Sequence, residues 1–263
     1  MTHPVRLASL SMSTLGPTMK IHAVAPDRII VIMPAFNEQE ALPSTLAGLL
    51  ATPLPLDVVV IDDGSSDDTA AIATANGAVC LQLPFNLGIG GALRTGFRYA
   101  VELGYQRGIQ FDADGQHDAS QIEALLAPLA EGADMVVGSR FAGAGDYRVG
   151  RSRGFAMNIL RWAIRRLAGQ RFTDTSSGFR SFGPEVLALF AAEYPIEYMD
   201  SVEALVMSCR AGFDVREVPT VMHERTGGVA SNRSFRLAYH YVRVLVSLAN
   251  TPKAQRRVAE TSA

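Results

Sequence analysis

The sequence predicts an α/β protein with a mostly parallel β-sheet and helices on both of its faces. In the first half of the chain, short runs rich in Val and Ile alternate with longer amphipathic segments, which is the pattern of successive β–α units. Polar residues gather directly after three of the strand-like runs, at the edge where such sheets bind ligands. These two observations indicate a Rossmann-like sheet with a ligand crevice at the carboxyl ends of its strands.

Each predicted element rests on its own residue pattern. Five strand-like runs are rich in apolar residues and are flanked by Gly, Pro, Asn or Asp: Arg28–Met33, Asp57–Ile61, Ala78–Leu83, Gly108–Asp112 and Asp134–Gly138. Helical spacing of apolar residues predicts four helices between them: Glu38–Leu50, Asp68–Asn76, Gly91–Leu103 and Ala119–Glu131. The second half is less regular. It contains a helix-like run (Pro184–Ala192), a further segment (Asp200–Ala211), a strand-like run (Asp214–Val218) and an amphipathic C-terminal helix (Ser234–Leu248).

Composition and charge exclude several classes of protein. The 263 residues are 48% hydrophobic and 19% charged, which provides enough apolar material for a core and too little charge for a disordered chain. The formal net charge of −2 excludes a globally basic nucleic-acid binder. The charges are nevertheless divided unevenly, because residues 1–139 carry 6 Lys and Arg against 15 Asp and Glu, whereas residues 140–263 carry 18 against 11. We therefore expect the two halves to face different partners.

The cysteines and the hydropathy pattern constrain the cellular compartment. Cys80 and Cys209 stand alone with no Cys-x-x-Cys pair, so neither a disulfide framework nor a zinc site is predicted, and a reducing cytosolic compartment fits best. A membrane-spanning helix needs about 20 apolar residues, and the most apolar stretches, Val186–Ala192 and Val244–Ala249, are much shorter. We expect neither a spanning segment nor a secretory signal, and we interpret residues 1–26 as a flexible leader.

The most informative motif is Asp112-Ala113-Asp114-Gly115-Gln116, at the end of a predicted buried strand. Two carboxylates one residue apart repel each other unless a cation joins them, and a hard divalent ion prefers such oxygen ligands. The alternative is that one Asp caps the following helix while the other is solvated. Because two further polar clusters follow other strands, we favour a site that holds a metal ion and a diphosphate.

The other two polar clusters are expected in the same crevice. Pro34-Ala35-Phe36-Asn37-Glu38 follows the first strand, and Asp62 and Asp63 follow a Val-Val-Val-Ile run, where their carboxylates can accept hydrogen bonds from a ribose or a base. The structural alternative for the second cluster is a turn in which Asp67 or Asp68 caps the next helix.

Taken in order, these motifs resemble those of the family 2 glycosyltransferases. The resemblance rests on five segments: Val31–Glu38, Ile61–Ser65, Asn86–Gly88, Asp112–His117 and Gly138–Phe141. Two later segments narrow it to a branch that resembles the dolichyl- and polyprenyl-phosphate sugar synthases: Asp174–Arg180 and Glu217–Pro219. The resemblance covers about residues 28–235 and implies a glycosyltransferase A-type fold.

The resemblance also implies which residues bind the donor. The nucleotide-binding positions follow three strands: Pro34, Ala35, Phe36, Glu38, Asp62, Asp63, Asp112, Ala113 and Asp114. Asp112, Asp114 and Gln116 are the implied ligands of Mg²⁺ or Mn²⁺. Asp114 is also an implied catalytic residue. The chain departs from the family pattern at Phe36 and Gly115, where the family often has Tyr and Leu.

The remaining implied positions lie in the basic half. Arg140, Arg153 and Arg225 match basic positions that face the phosphates of the donor or the acceptor. The glycine-rich loop around Gly227 and Gly228 resembles a mobile lid over the donor. His117 directly follows the metal motif and is interpreted as a residue that supports it.

The implied activity is that of an inverting, metal-dependent hexosyltransferase that moves a sugar from a GDP- or UDP-sugar to a polyprenyl phosphate. A lipid phosphate is already anionic, so it needs arginines for positioning. A glycan hydroxyl would instead need a carboxylate base, for which Asp200 and Glu203 are the candidates, with a solvated or capping pair as the alternative. Extension of a cell-wall or surface glycan and a non-catalytic sugar-nucleotide-binding scaffold both stay open. A phosphohydrolase is disfavoured, because its DxDG motif belongs on a first strand.

The basic half supplies the argument for a membrane. Arginines interleave with apolar residues over 151–167 and again over 235–245, as in helices that lie on anionic membranes; ordinary helix packing with Arg reaching solvent is the alternative. We expect a cytoplasmic protein peripheral to the inner face of the cell membrane, with a membrane-embedded partner protein as a further hypothesis and no nucleic-acid partner. We expect a flexible leader (1–26) and a nucleotide-sugar-binding half (27–139). These are followed by an acceptor-binding, membrane-facing half of the same domain (140–250) and a disordered tail (251–263).

Overall fold

Seven strands form one sheet in the part of the chain that the computed structural model describes, which is residues 24–142, 165–166, 168–195 and 200–223. The strands are β1 (Ile29–Ala35), β2 (Leu56–Asp62), β3 (Val79–Gln82), β4 (Gly108–Gln110), β5 (Met135–Ser139), β6 (Arg180–Phe182) and β7 (Val215–Pro219). The helices are α1 (Leu42–Leu50), α2 (Thr69–Ala75), α3 (Ile89–Glu102), α4 (Ile122–Ala130), α5 (Pro184–Glu193) and α6 (Asp200–Arg210). The strand order across the sheet is β3-β2-β1-β4-β6-β5-β7.

The sheet is mostly parallel, as the β/α alternation predicts. Strands β3, β2, β1 and β4 pair in parallel, and β5 pairs in parallel with β7. Strand β6 is the exception, since it lies between β4 and β5 and pairs antiparallel with both. This strand was not predicted, because it is three residues long, lacks a Val or Ile run and begins with Arg180, a fully buried arginine.

Helices cover both faces of the sheet, which confirms the predicted layering. The side chains of β1 alternate between the faces, as those of any strand do. Ile30 and Ile32 pack into a cluster that contains residues of α3, α5 and α6, whereas Ile29, Val31 and Met33 pack into a cluster with residues of α1, α2 and α4. Burial on both faces explains why this strand reads as a continuous apolar run.

Aromatic packing joins α3 to α5 on one face. The Phe97 ring lies 5.2 Å from the Phe182 ring and 5.1 Å from each of the Phe190 and Tyr194 rings. Gly96 allows α3 to lie close to the sheet, because an added Cβ there would collide with the side chain of Ile32 on β1.

The predicted and observed bounds differ at two places that matter for the site. Helix α1 begins at Leu42 rather than Glu38, which leaves residues 36–41 as a loop over the sheet edge. Strand β4 ends at Gln110 rather than Asp112, so the acidic motif lies wholly in a loop. The leader, the predicted C-terminal helix and almost all of the amphipathic segment 151–167 lie outside the described residues. Within the described ranges, no helix has the length and apolar character needed to cross a bilayer.

Candidate active site

The loops after β1 and β2 are joined by reciprocal hydrogen bonds at the carboxyl edge of the sheet. The Asn37 amide donates to Ser65 Oγ at 2.9 Å, and the Ser66 amide donates back to Asn37 Oδ1 at 2.8 Å. The Gln39 amide likewise donates to Asp67 Oδ2 at 3.2 Å. Asn37 adopts a φ of 54°, in the left-handed region that Asn tolerates better than most residues. The two polar clusters therefore form one structural unit.

The structural alternative for the second cluster is correct in part. Asp67 Oδ1 accepts a hydrogen bond from the Thr69 amide at 3.0 Å, at the start of α2, whereas Asp68 makes no capping hydrogen bond with its side chain. The Thr69 hydroxyl in turn accepts from the Glu38 amide at 3.0 Å. Asp67 is thus a structural residue, and Thr69 holds the backbone of Glu38, a predicted donor-site residue, against the start of α2.

Asp62 and Asp63 are both buried at the end of β2. Asp62 Oδ1 accepts from the Ser65 amide at 3.0 Å, within its own turn. Asp63 Oδ1 accepts from the Leu87 amide at 2.7 Å and so connects the loop after β3 to the site. Burial raises the pKa of Asp63 in spite of this hydrogen bond. The structure therefore brings three loops together at the predicted nucleotide-binding edge.

The other predicted nucleotide-binding residues also lie at this edge. Pro34 and Ala35 are the last two residues of β1, and Ala35 is buried. Phe36 follows them with 47% of its surface exposed. Phe36 is therefore not a core residue, and its exposed ring lies beside the other predicted nucleotide-binding positions.

The acidic motif forms a tight loop after β4. Asp114 Oδ1 accepts from the Gln116 amide at 3.0 Å, and the Ala113 carbonyl accepts from Thr45 Oγ1 of α1 at 3.1 Å. Gly115 adopts a φ of 76°, which glycine reaches without strain. The turn explains why glycine stands at this position. Two observed hydrogen bonds thus hold the backbone that carries the predicted metal ligands.

The imidazole of His117 contacts the first residue of this loop. Its Nδ1 accepts from the Asp112 amide at 3.1 Å, and its Nε2 lies 3.5 Å from Asp112 Oδ2. The imidazole ring stacks on Phe179 with a centroid distance of 4.9 Å and meets Phe111 edge-on at 5.2 Å. Burial lowers the pKa of His117 to about 4, so the ring is neutral near pH 7.

A segment from the second half forms the opposite wall of the site. Gly178 lies so close to the acidic motif that an added Cβ would stand 2.6 Å from Asp112 Oδ2 and 2.9 Å from Oδ1. The carboxylate of Asp112 is therefore near both the imidazole of His117 and the backbone of Gly178. Gly178 belongs to a segment that resembles a family motif, but its contact with Asp112 joins positions 66 residues apart and was not predicted.

Arg140 is bound to a buried carboxylate in the same segment. Its Nε donates to Asp174 Oδ2 at 2.6 Å and its second nitrogen to Asp174 Oδ1 at 2.9 Å, while Ser176 Oγ accepts at 2.8 Å. Burial alone would raise the pKa of Asp174, but the hydrogen bonds and charge of Arg140 outweigh that effect and hold the pKa below its usual value. The Arg140 side chain remains about one-third exposed, since its relative exposure is 36%.

The remaining predicted residues are placed less completely. Asp200 is the first residue of α6, and Glu203 lies one turn later, partly buried. Arg153, Arg225 and the glycine-rich loop lie outside the described residues. The segment that leads toward Arg225 is held against the acidic loop, because the His223 amide donates to the Gln116 carbonyl at 2.9 Å.

Comparison with known proteins identifies the family. The family model "Glycosyl transferase family 2" matches residues 30–188, which is more than half of the chain. This chain belongs to glycosyl transferase family 2. The match spans the loops after β1, β2 and β4 and the segment that contains Asp174 and Gly178, so the site described above is built from family 2 sequence.

Several relatives of this family 2 glycosyltransferase cover most of its length. An uncharacterized protein of Methanocaldococcus jannaschii is 34% identical over 76% of this chain and 83% of its own. The undecaprenyl-phosphate mannosyltransferase of Micrococcus luteus is 32% identical over 76% of this chain and 86% of its own. A crystal structure of glucosyl-3-phosphoglycerate synthase from Mycobacterium tuberculosis has the same fold, with a TM-score of 0.64 and 23% identity over 85% of this chain and 78% of that one.

The acidic loop of the glycosyltransferase has the chemistry that a divalent cation needs. Among the described residues, no three His, Cys, Asp or Glu side chains converge into a complete protein-only metal site. Mg²⁺ is, however, usually held by one or two carboxylates together with the phosphates of a substrate and water. Asp112 and Asp114 on one ordered loop match that donor set, and Gly178 leaves room for the Asp112 carboxylate.

Proposed function

We propose that this glycosyltransferase moves a sugar from a nucleoside-diphosphate sugar to a polyprenyl phosphate, with inversion at the anomeric carbon and with Mg²⁺ or Mn²⁺ as cofactor. The observation that carries the donor half is that Asp62 and Asp63 at the end of β2 and Asp112 and Asp114 after β4 lie at the same edge of the sheet, where backbone amides donate hydrogen bonds to three of these carboxylates. The acceptor half is supported by relatives of high coverage that are named as undecaprenyl-phosphate mannosyltransferase and polyprenol monophosphomannose synthase.

The donor site follows from the chemistry of these carboxylates. Asp112 and Asp114, with Gln116 beside them, would hold the cation, and a bound cation stabilises the negative charge that develops on a departing diphosphate. The glucosyl-3-phosphoglycerate synthase that shares the fold was crystallised with Mn²⁺ and UDP, which supports this arrangement. Asp62 and Asp63 would accept hydrogen bonds from the nucleoside, and the exposed ring of Phe36 would lie beside it.

The acceptor determines what the second half must provide. A lipid phosphate is anionic near neutral pH, so its oxygen can attack without a strong base, and the protein needs cationic groups to orient it. Arg140, Arg153 and Arg225 are proposed for that role, with Arg140 held in place by Asp174. An acceptor of this kind places the protein at the inner face of the cell membrane. A membrane-embedded partner is a further hypothesis that co-purification would test.

The experiment is a transfer assay with the purified full chain. UDP- and GDP-sugars are supplied with Mn²⁺, with and without polyprenyl phosphate, and both the sugar-lipid product and free sugar are measured. Asp114→Ala serves as the site variant and Glu123→Gln as its control, because Glu123 is an exposed carboxylate on α4, away from the loop. We expect transfer only when the lipid phosphate is present and only when Asp114 is intact.

Each other outcome contradicts a named part of the proposal. Transfer to a glycan hydroxyl alone would replace the acceptor and would give Asp200 or Glu203 the role of base. Donor turnover that Asp114→Ala leaves unchanged would remove the acidic loop from the active site. Failure of every donor to react would favour a sugar-nucleotide-binding scaffold.

A further inference from the structure

We infer that His117 is a positioning residue that holds both the backbone and the carboxylate of Asp112 in the orientation a cation requires. This inference rests on the proposed function, since it assigns the support of the proposed metal site. His117 is not one of the proposed metal ligands, so the inference adds a residue to the proposed site. The argument depends on where the two ring nitrogens and the two ring faces of His117 lie.

Both ring nitrogens of His117 face the same residue. Nδ1 accepts from the Asp112 amide at 3.1 Å, and a nitrogen that accepts a hydrogen bond carries no hydrogen. In the neutral ring the one hydrogen therefore lies on Nε2, 3.5 Å from Asp112 Oδ2. That distance is too long for a hydrogen bond of ordinary strength, so the contact between Nε2 and the carboxylate is electrostatic. The side chain of His117 thus contacts both the main chain and the side chain of Asp112.

The ring itself has little freedom to move. Its side chain is only 1% exposed, it stacks on Phe179 at an interplanar angle of 20°, and it meets Phe111 at 87°. Residue 117 also forms a β-bridge with Met222, which holds its backbone. A ring fixed on its faces and along its backbone can impose its own position on a neighbour.

The two predicted carboxylate ligands have different supports. Asp114 is held inside its own loop, through the hydrogen bond from the Gln116 amide. Asp112 Oδ2 lies near two groups outside the acidic motif, the imidazole of His117 and the backbone of Gly178. A change at His117 should therefore disturb the position of Asp112 directly. Residues that orient metal ligands in this way typically contribute about 10- to 100-fold to metal affinity.

The test measures the affinity of the full chain for Mn²⁺ by electron paramagnetic resonance, with UDP and separately with GDP present. His117→Phe keeps a ring for stacking and removes both nitrogens. His117→Gln places a donor near the position of Nε2, and His117→Asn places an acceptor near that of Nδ1. The control is Tyr105→Phe, which removes one hydrogen bond to Asp57 at the opposite edge of the sheet. Thermal unfolding of every variant reports its stability.

We expect His117→Phe to weaken Mn²⁺ binding by about 10- to 100-fold, with His117→Gln and His117→Asn each recovering part of the loss and Tyr105→Phe binding like the wild type. The Mn²⁺ concentration for half-maximal transfer should rise in parallel. A folded His117→Phe variant with wild-type Mn²⁺ affinity would overturn the inference while leaving the proposed function intact. If His117→Phe does not fold, wild-type affinity in both polar variants would overturn it instead. A wild-type chain that binds no Mn²⁺ with either nucleotide would overturn the proposed function and the inference together.

Discussion

The contact between Gly178 and Asp112 makes Gly178→Ala the most direct test of the acidic loop. Gly178 does not have a positive φ, so alanine is compatible with the backbone there. The only new group is one methyl carbon, which would stand 2.6 Å from Asp112 Oδ2 and 3.1 Å from its carboxyl carbon. The three nearest atoms to that methyl carbon all belong to Asp112, so the substitution acts first on the position of the predicted metal ligand.

The size of the effect follows from these distances. Carbon and oxygen atoms that are not bonded approach to about 3.3 Å, so the Asp112 carboxylate must move by about 0.7 Å. A misplacement of about 1 Å at a reacting centre can cost about 100-fold. We expect kcat/KM to fall by about 10- to 100-fold, which corresponds to about 1.4–2.7 kcal/mol of transition-state stabilisation.

The assay compares sugar transfer by the wild type and Gly178→Ala over a range of Mn²⁺ concentrations. The matched control is Gly48→Ala in α1, because an added Cβ there meets nothing within 4 Å and the backbone needs no positive φ. Gly48→Ala should keep full activity and gain up to about 1 kcal/mol of stability, as alanine favours a helix. Gly178→Ala should unfold at nearly the wild-type temperature.

Wild-type activity and wild-type Mn²⁺ dependence in Gly178→Ala would refute the reasoning. Such a result would mean that the Asp112 carboxylate either does not stand against Gly178 or does not contribute to the reaction. A loss of activity that matches a large loss of stability would also count against it, since the argument requires a local displacement in a folded protein.

Three further predictions concern the site and the core. Asp114→Asn should reduce transfer by at least about 100-fold with little loss of folding, because it removes a charged ligand from a loop that keeps its turn; activity and circular dichroism check this. Arg140 holds the pKa of Asp174 below its usual value, so the ion pair stabilises the fold above about pH 4. That contribution is lost as the pH falls through the lowered pKa. Urea unfolding between pH 3 and pH 6 should therefore show a steeper pH dependence for the wild type than for Asp174→Asn. Phe97→Ala should cost about 3–5 kcal/mol in urea unfolding, since it removes the ring that contacts three others.

The parallel part of the sheet could be predicted because its signals are local. Each strand from β1 to β3 is an apolar run that ends at a turn, and each is followed by a segment with helical spacing. Strand β6 carries no such signal. Its three residues pair with both β4 and β5 because the chain returns between them, and the fully buried Arg180 is accommodated by donating to the Ser177 carbonyl at 2.8 Å. Tertiary context, rather than strand propensity, places this segment.

The candidate site likewise has features that could be predicted from the sequence and features that could not. The acidic residues could be located from the sequence, because carboxyl ends of parallel strands meet at one edge and the polar clusters follow those strands. The contacts that orient them could not be located, since they join distant positions: Arg140 with Asp174, and Asp112 with Gly178. No local pattern distinguishes Asp174, which binds an arginine, from an ordinary turn aspartate.

The structure also changes the meaning of the acidic first half. Its excess of carboxylates predicted that this half faces a different partner from the basic half, but several of these carboxylates hold the fold together. Asp57 accepts from Arg28 Nε at 2.8 Å and from the Tyr105 hydroxyl at 2.9 Å on the edge away from the site, and Asp67 holds the start of α2. Asp118 accepts from the Ser120 amide at 2.9 Å and begins the turn before α4. These carboxylates lower their own pKa by binding donors within the protein, so removing one should weaken folding rather than cation affinity. We therefore predict that cation binding by this half depends on the loop after β4 and not on the net charge.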